Sequence, residues 1–327
     1  MGEFELLARI RERLPAAGPR VRVGSGDDCA VTVPGGATAT SVDAVVDGVH
    51  FRRDLASLGQ IGHKALATAL SDLAAMGAEA GEAYVVLGIP PDIDEDGCIE
   101  LLDGMVALAG ATAASLAGGD VTRAAELFLA ITVVGHAPGP DSFVSRSGAR
   151  PGDALVVTGE LGAAAAGLLL LERPDLTEEL DDAAAERLRA SQLEPSPRLG
   201  AGRILAERGA TAMIDLSDGL GGDARHLAEA GGVGLRIDAA ALPLADGVAA
   251  VAAAAGHDRY ELTIGGGEDY ELLAALPAEE LRGAVEALAE AEAVRLTQVG
   301  EVVGGKGVEI RLPDGRLLES AGFDQLA

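Results

Sequence analysis

Residues 40–51, Thr-Ser-Val-Asp-Ala-Val-Val-Asp-Gly-Val-His-Phe, constrain the chain most. β-Branched residues in alternation suit a pleated, half-buried strand. Asp47-Gly48 marks a turn, because glycine tolerates positive φ without steric cost. The stretch presents Asp43, Asp47 and His50. Carboxylates near a strand end are expensive to bury unless they gain a cation. One such stretch could be a solvated loop beyond an edge strand, but similar acid-bearing turns recur along the chain.

The surrounding pattern alternates strands and helices. Helical spacing of Phe4, Leu7, Ile10 and Leu14 predicts a first helix. A strand at 21–23, the segment Gly24-Ser-Gly-Asp-Asp-Cys29 and a second strand follow, then a strand over 37–46. Residues 59–76 form the clearest helix, with Leu66, Ala69, Leu70 and Leu73 on one face and Asp72 at its edge. A strand at 82–89, a helix at 94–117, the punctuated acid Gly118-Gly119-Asp120 and a strand at 127–134 complete a first half. Pro138 and Pro140 mark a boundary, giving domains of 1–139 and 140–327. In the second half, strands are expected at 154–158, 234–238, 260–264, 297–303 and 308–312, and residues 265–274 run from a glycine turn into a further strand. Helices are expected at 161–172, 198–209 and 278–292, and from the end of the 212–223 segment to Glu229. The fold class is α/β for the first domain and α+β for the larger second one.

Composition narrows the function. The 327 residues carry 52 acidic against 25 basic side chains, a net charge of −27, and 48% are hydrophobic. A core is therefore available, and the acidic field disfavours nucleic acid and anionic membranes as partners. Two cysteines, Cys29 and Cys98, lack metal-type spacing and fit a reduced, cytoplasmic protein. No apolar run reaches the roughly 20 residues that span a bilayer.

The acids in glycine-rich or small-residue contexts are Asp27, Asp28, Asp43, Asp72, Asp120, Asp215 and Asp218. HExxH, CxxC, GxSxG, P-loop and dinucleotide fingerprints are absent. Hard oxygen donors without sulfur point to Mg²⁺ or Mn²⁺, held jointly with substrate phosphate oxygens. Metal-assisted phosphoryl transfer outranks acid–base hydrolysis on these residues, with Arg146 to offset phosphate charge.

Taken in order, GDDCAV (26–31), SVDAVVDGVHF (41–51), SDLAAMGA (71–78), GGD (118–120), SRSGARPGD (145–153), DLSDGL (215–220) and GGEDYELL (266–273) resemble the motifs of the thiamine-monophosphate kinase family. That family lies within the aminoimidazole-ribonucleotide synthetase superfamily. The resemblance implies a two-domain fold, an N-terminal mixed sheet with helices plus a larger C-terminal α+β domain, and a homodimer joined through N-terminal sheets. It implies ATP-dependent conversion of thiamine monophosphate to thiamine diphosphate, with no side-chain nucleophile. Carried over by motif, Asp28, Ser41, Asp43, Asp72, Asp120, Asp215 and Asp218 hold several Mg²⁺ ions. Gly119, Asp120, Arg146 and Ser217 meet the nucleotide, and His50, Glu268 and Phe323 meet thiamine monophosphate. Two alternatives stay open: another ATP-dependent synthetase of the superfamily, and a non-catalytic acidic cation-binding protein.

Overall fold

A computed structural model describes residues 2–27 and 29–318. The chain divides into two units, Met1–Leu73 with Ala78–Pro140, and Ala74–Gly77 with Asp141–Ala327.

The first unit runs α1 (Glu3–Arg13), β1 (Val21–Val23), β2 (Val31–Thr32), β3 (Ala37–Val46), α2 (Leu58–Ala75, reaching the second unit at its end), β4 (Glu79–Ile89), α3 (Glu95–Thr112), β5 (Ser115–Arg123) and β6 (Phe128–Ala137). Its four-stranded sheet has the order β3-β6-β4-β5, with β4 and β5 parallel and the other pairs antiparallel. Leu129, Ile131 and Val133 of the central β6 point to the buried face. Asp94 caps α3 by accepting from Gly97 N at 3.0 Å. Helix α3 stops at Thr112, short of the expected 117, and the punctuated glycine-aspartate stretch lies inside β5. A side chain on Gly119 would overlap the Val85 carbonyl. The glycine is needed there for strand approach, not for a turn.

The second unit runs β7 (Ala154–Thr158), α4 (Ala163–Glu172), α5 (Asp182–Leu193), α6 (Leu199–Glu207), β8 (Ala212–Asp215), α7 (Leu220–Gly231), β9 (Gly234–Asp238), α8 (Val248–Ala255), α9 (Arg259–Gly265), β10 (Leu272–Leu276), α10 (Leu281–Ala291), β11 (Leu296–Val303), β12 (Gly307–Arg311) and β13 (Leu317–Leu318). The sheet order is β13-β12-β9-β11-β7-β10-β8, and among the described residues of this sheet only the β9–β12 pair is parallel. This is the mixed, two-domain α/β and α+β architecture expected.

Some local expectations differ. Residues 260–264 are helical, not a strand. Asp258 caps α9 by accepting from Tyr260 N at 2.8 Å and Glu261 N at 3.4 Å, and Glu261 stands three residues on, as in a capping box. That local signal outweighs the β-branched Thr263-Ile264 pair. Helices α5 and α8 have no counterpart in the sequence reading, although Asp181 caps α5 through Ala184 N at 2.7 Å and Ala185, Leu188 and Gln192 line its buried side.

Candidate active site

In the first unit, Ser41 and Asp43 are alternate residues of β3 and share a face, and Asp72 comes from the last turns of α2. The Ser41 hydroxyl donates to the Asp72 carboxylate. Burial pushes the Asp43 carboxyl up to about 6, and the Asp72 charge adds to the rise. Desolvation and a like charge push this carboxyl in the same direction. Such a pair is a poor structural ion pair and a good seat for a hard divalent cation.

Asp120 is not part of this pair. Asp43 stands opposite Ile131, which faces Val85, whereas Asp120 stands opposite Val86 and Val86 opposite Ala130. Directly paired residues share a face and neighbours alternate. Asp120 therefore lies on the open face of the sheet, and Asp43 on the buried one. Asp47 is engaged elsewhere: Arg53 Nε donates to it at 2.5 Å, and Arg53 Nη1 reaches Asp92 at 2.8 Å. His50 Nδ1 accepts from Val46 N at 3.2 Å, which folds the turn back onto its strand. Asp28 and Phe323 lie outside the described residues.

In the second unit, Asp215 ends β8, Ser217 and Asp218 form the turn, and Gly219 (φ 94°) leads into α7. The turn is organised by Asp223, a residue of the first turn of α7 that the sequence reading passed over. Its Oδ2 accepts from Ser217 N at 3.0 Å and Asp218 N at 3.1 Å. Burial, then the charge of Asp215, pushes Asp223 up to about 8. Burial also raises Asp218, while His226 and Arg146 pull it back. Arg146 thus lies within electrostatic reach of the aspartate turn.

Residues 265–271 lie alongside that turn. Glu268 N donates to Ser217 O and Tyr270 N to Leu216 O, both at 2.9 Å, and Leu216 N donates to Glu271 O at 2.8 Å. A side chain on Gly267 would overlap the Ser217 carbonyl. Glu268 (φ 69°) and Tyr270 (φ 49°) are held in the left-handed region, a strain that surrounding structure must impose. Asp269 is a helix cap: its two oxygens accept from Gly162 N at 2.7 Å and Ala164 N at 3.2 Å at the start of α4. Burial pushes its carboxyl up to about 7 against those two bonds.

Among the described residues, no group of three or more His, Cys, Asp and Glu side chains is close enough to hold a metal by itself. Each unit instead supplies aspartates with oxygen donors only, unlike a preformed zinc site. That donor set fits magnesium, which takes one or two carboxylates and completes its shell with substrate phosphate and water.

Comparison with known proteins defines the class first. The family model of AIR synthase related protein, N-terminal domain, matches residues 26–137, and that of the C-terminal domain matches 150–313. Thiamine-monophosphate kinase of Salmonella typhimurium (strain LT2) is 39% identical over 305 residues, covering 92% of this chain and 90% of the relative. A crystal structure of thiamine-monophosphate kinase from Stenotrophomonas maltophilia K279a superposes with a TM-score of 0.85 at 34% identity, covering 97% of this chain and 98% of that one. A structure described as AaThiL complexed with AMPPCP and TMP superposes with a TM-score of 0.77 at 28% identity, covering 98% and 96%. The chain belongs to the thiamine-monophosphate kinase family.

Proposed function

We propose that this chain transfers the γ-phosphoryl group of ATP to thiamine monophosphate, giving thiamine diphosphate and ADP. The reading rests chiefly on the two aspartate groups, Asp43 with Asp72 and Asp215 with Asp218 and Asp223. Burial and like charge keep both poised for cations, within a chain that matches thiamine-monophosphate kinases along most of its length. A phosphate oxygen of the monophosphate attacks the γ-phosphorus in line as the bond to the ADP oxygen breaks. No protein nucleophile is required.

Ser41, Asp43 and Asp72 in the first unit and Asp215 and Asp218 in the second, with Asp28 from the adjoining motif, are the residues that would hold magnesium; Asp120, on the sheet face opposite Asp43, is not placed with that group. When bound, the ions supply the positive charge that screens two phosphate-bearing substrates from each other and from a chain of net charge −27. Arg146 adds a guanidinium for a phosphate oxygen, and Ser217 and Gly119 contact the nucleotide. His50, Glu268 and Phe323 contact thiamine monophosphate. A cytoplasmic location fits both substrates, and recovery of the native protein in a non-cytosolic fraction would contradict it. No helix among the described residues is long and apolar enough to cross a membrane.

Incubation with ATP, Mg²⁺ and thiamine monophosphate, followed by chromatography, is expected to give equal amounts of thiamine diphosphate and ADP. ADP without the diphosphate would move the chain to another synthetase of the superfamily. No nucleotide turnover would leave a cation-binding protein. A phosphorylated protein residue that passes its phosphate to product would overturn direct transfer.

The open face of the first unit's sheet supports a homodimer. Val42 is 65% and Val86 38% exposed, and Ala44, Ala130 and Val86 form one row across three strands. Apolar side chains exposed together on a sheet face are costly to leave in water. Val42→Asp is expected to convert a dimer to a monomer in light scattering after size exclusion. A native protein that runs as a monomer would remove the proposal.

A further inference from the structure

We infer that Gln192 is a positioning residue for thiamine monophosphate, acting through Glu268; this rests on the reading above that Glu268 contacts that substrate. Gln192 lies in the last turn of α5, is 6% exposed, and donates from Nε2 to Glu268 Oε2 at 2.6 Å. A buried amide held this closely to a carboxylate makes a charge-assisted bond and fixes one oxygen of the pair.

The backbone of Glu268 gives the contact its purpose. At φ 69° the residue is in a conformation a glutamate does not hold unaided. Three restraints hold the segment. Glu268 N and Tyr270 N are tied to the aspartate turn through Ser217 O and Leu216 O. Asp269 is tied to the first turn of α4. The Glu268 side chain is tied to α5. Helices α4 and α5 are themselves one packed unit, since a side chain on Gly167 of α4 would overlap the Leu188 carbonyl of α5. Ala166, Leu170, Ala185 and Leu188 form their apolar contact. Adjacent residues 268 and 269 are therefore clamped to opposite members of a single helical pair. Asp269 sets the backbone and Gln192 sets the carboxylate. A carboxylate free to rotate would lose orientation toward substrate, not the chemistry of phosphoryl transfer.

The test compares Gln192→Met, Gln192→Asn and Glu268→Gln in the full-length protein. Met keeps the length of the side chain and loses the donor; Asn keeps the amide and draws it back by one methylene. Both are expected to raise KM for thiamine monophosphate about tenfold, which corresponds to about 1.4 kcal/mol. The changes in kcat and in KM for ATP are expected to stay under about twofold. In the Glu268→Gln background, Gln192→Met is expected to add nothing further. An unchanged KM for thiamine monophosphate in both Gln192 variants, with Glu268→Gln raising it, would overturn the role of Gln192 and leave the substrate contact standing. An unchanged KM in Glu268→Gln would remove the substrate contact itself. A parallel loss of kcat, both KM values and melting temperature would make Gln192 a structural residue only and also overturn the inference.

Discussion

Asp72→Asn is expected to lower kcat by roughly a hundredfold or more, the scale seen when a group that stabilises developing charge is removed. The apparent Mg²⁺ midpoint should move to higher concentration in the same titration. Asp43→Asn should do the same, since Asp43 and Asp72 form one like-charged pair. The fold should survive both changes: replacing one carboxylate of a repelling pair by a neutral amide relieves repulsion rather than breaking an ion pair. The melting temperature is therefore expected to hold or rise while turnover collapses. Native turnover with unaltered Mg²⁺ dependence in either variant would remove that residue from the site. Ser41 belongs to the same arrangement through its bond to Asp72.

The second large effect is on stability. Glu271 is 3% exposed and takes both Arg198 donors, Nε at 2.8 Å and Nη2 at 2.5 Å, as well as the Thr158 hydroxyl at 2.6 Å. Thr158 Oγ1 in turn accepts from Leu272 N at 2.8 Å. The network ties the start of α6 to the end of β7 and the start of β10. Arg198→Met would leave the Glu271 carboxylate buried without its cation. Breaking a buried pair from one side costs about 3 kcal/mol or more, because the desolvated charge remains. For a unit of this size that corresponds to a fall in melting temperature of roughly 6–12 °C. Pairing the change with Glu271→Leu should restore much of the loss, since apolar replacement of both partners removes the stranded charge. Denaturation midpoints of the single and double variants would decide it. A single variant as stable as the native protein would show that water reaches the carboxylate and that the pair adds little.

These networks mark the limit of a linear reading. The family motifs carry Asp43, Asp72, Asp215 and Asp218, and each falls where such a reading expects an acid: on a strand, a helix edge or the turn after a strand. Asp120 is legible as an acid after two glycines, but register alone shows that it faces away from Asp43. Asp47 and His50 look like their neighbours in sequence, yet Arg53 engages one and a backbone N–H the other. Asp223 and Gln192 carry no signal a single sequence displays. One is an acid in the first turn of a helix and the other a glutamine near the end of one, and both positions are ordinary.

Local chemistry written along the chain determined the alternation of elements, the hard-donor character of the acids and the family. Hydrophobic period, glycine position and oxygen-only side chains act over a few residues, so they survive in one dimension. Only the tertiary structure decided which carboxylates repel each other, which are already paired, and which backbone groups hold the 268–270 segment in its strained form. Those outcomes depend on desolvation and on distances between residues as far apart as Gln192 and Glu268, and burial and proximity are properties of packing, not of order along the chain.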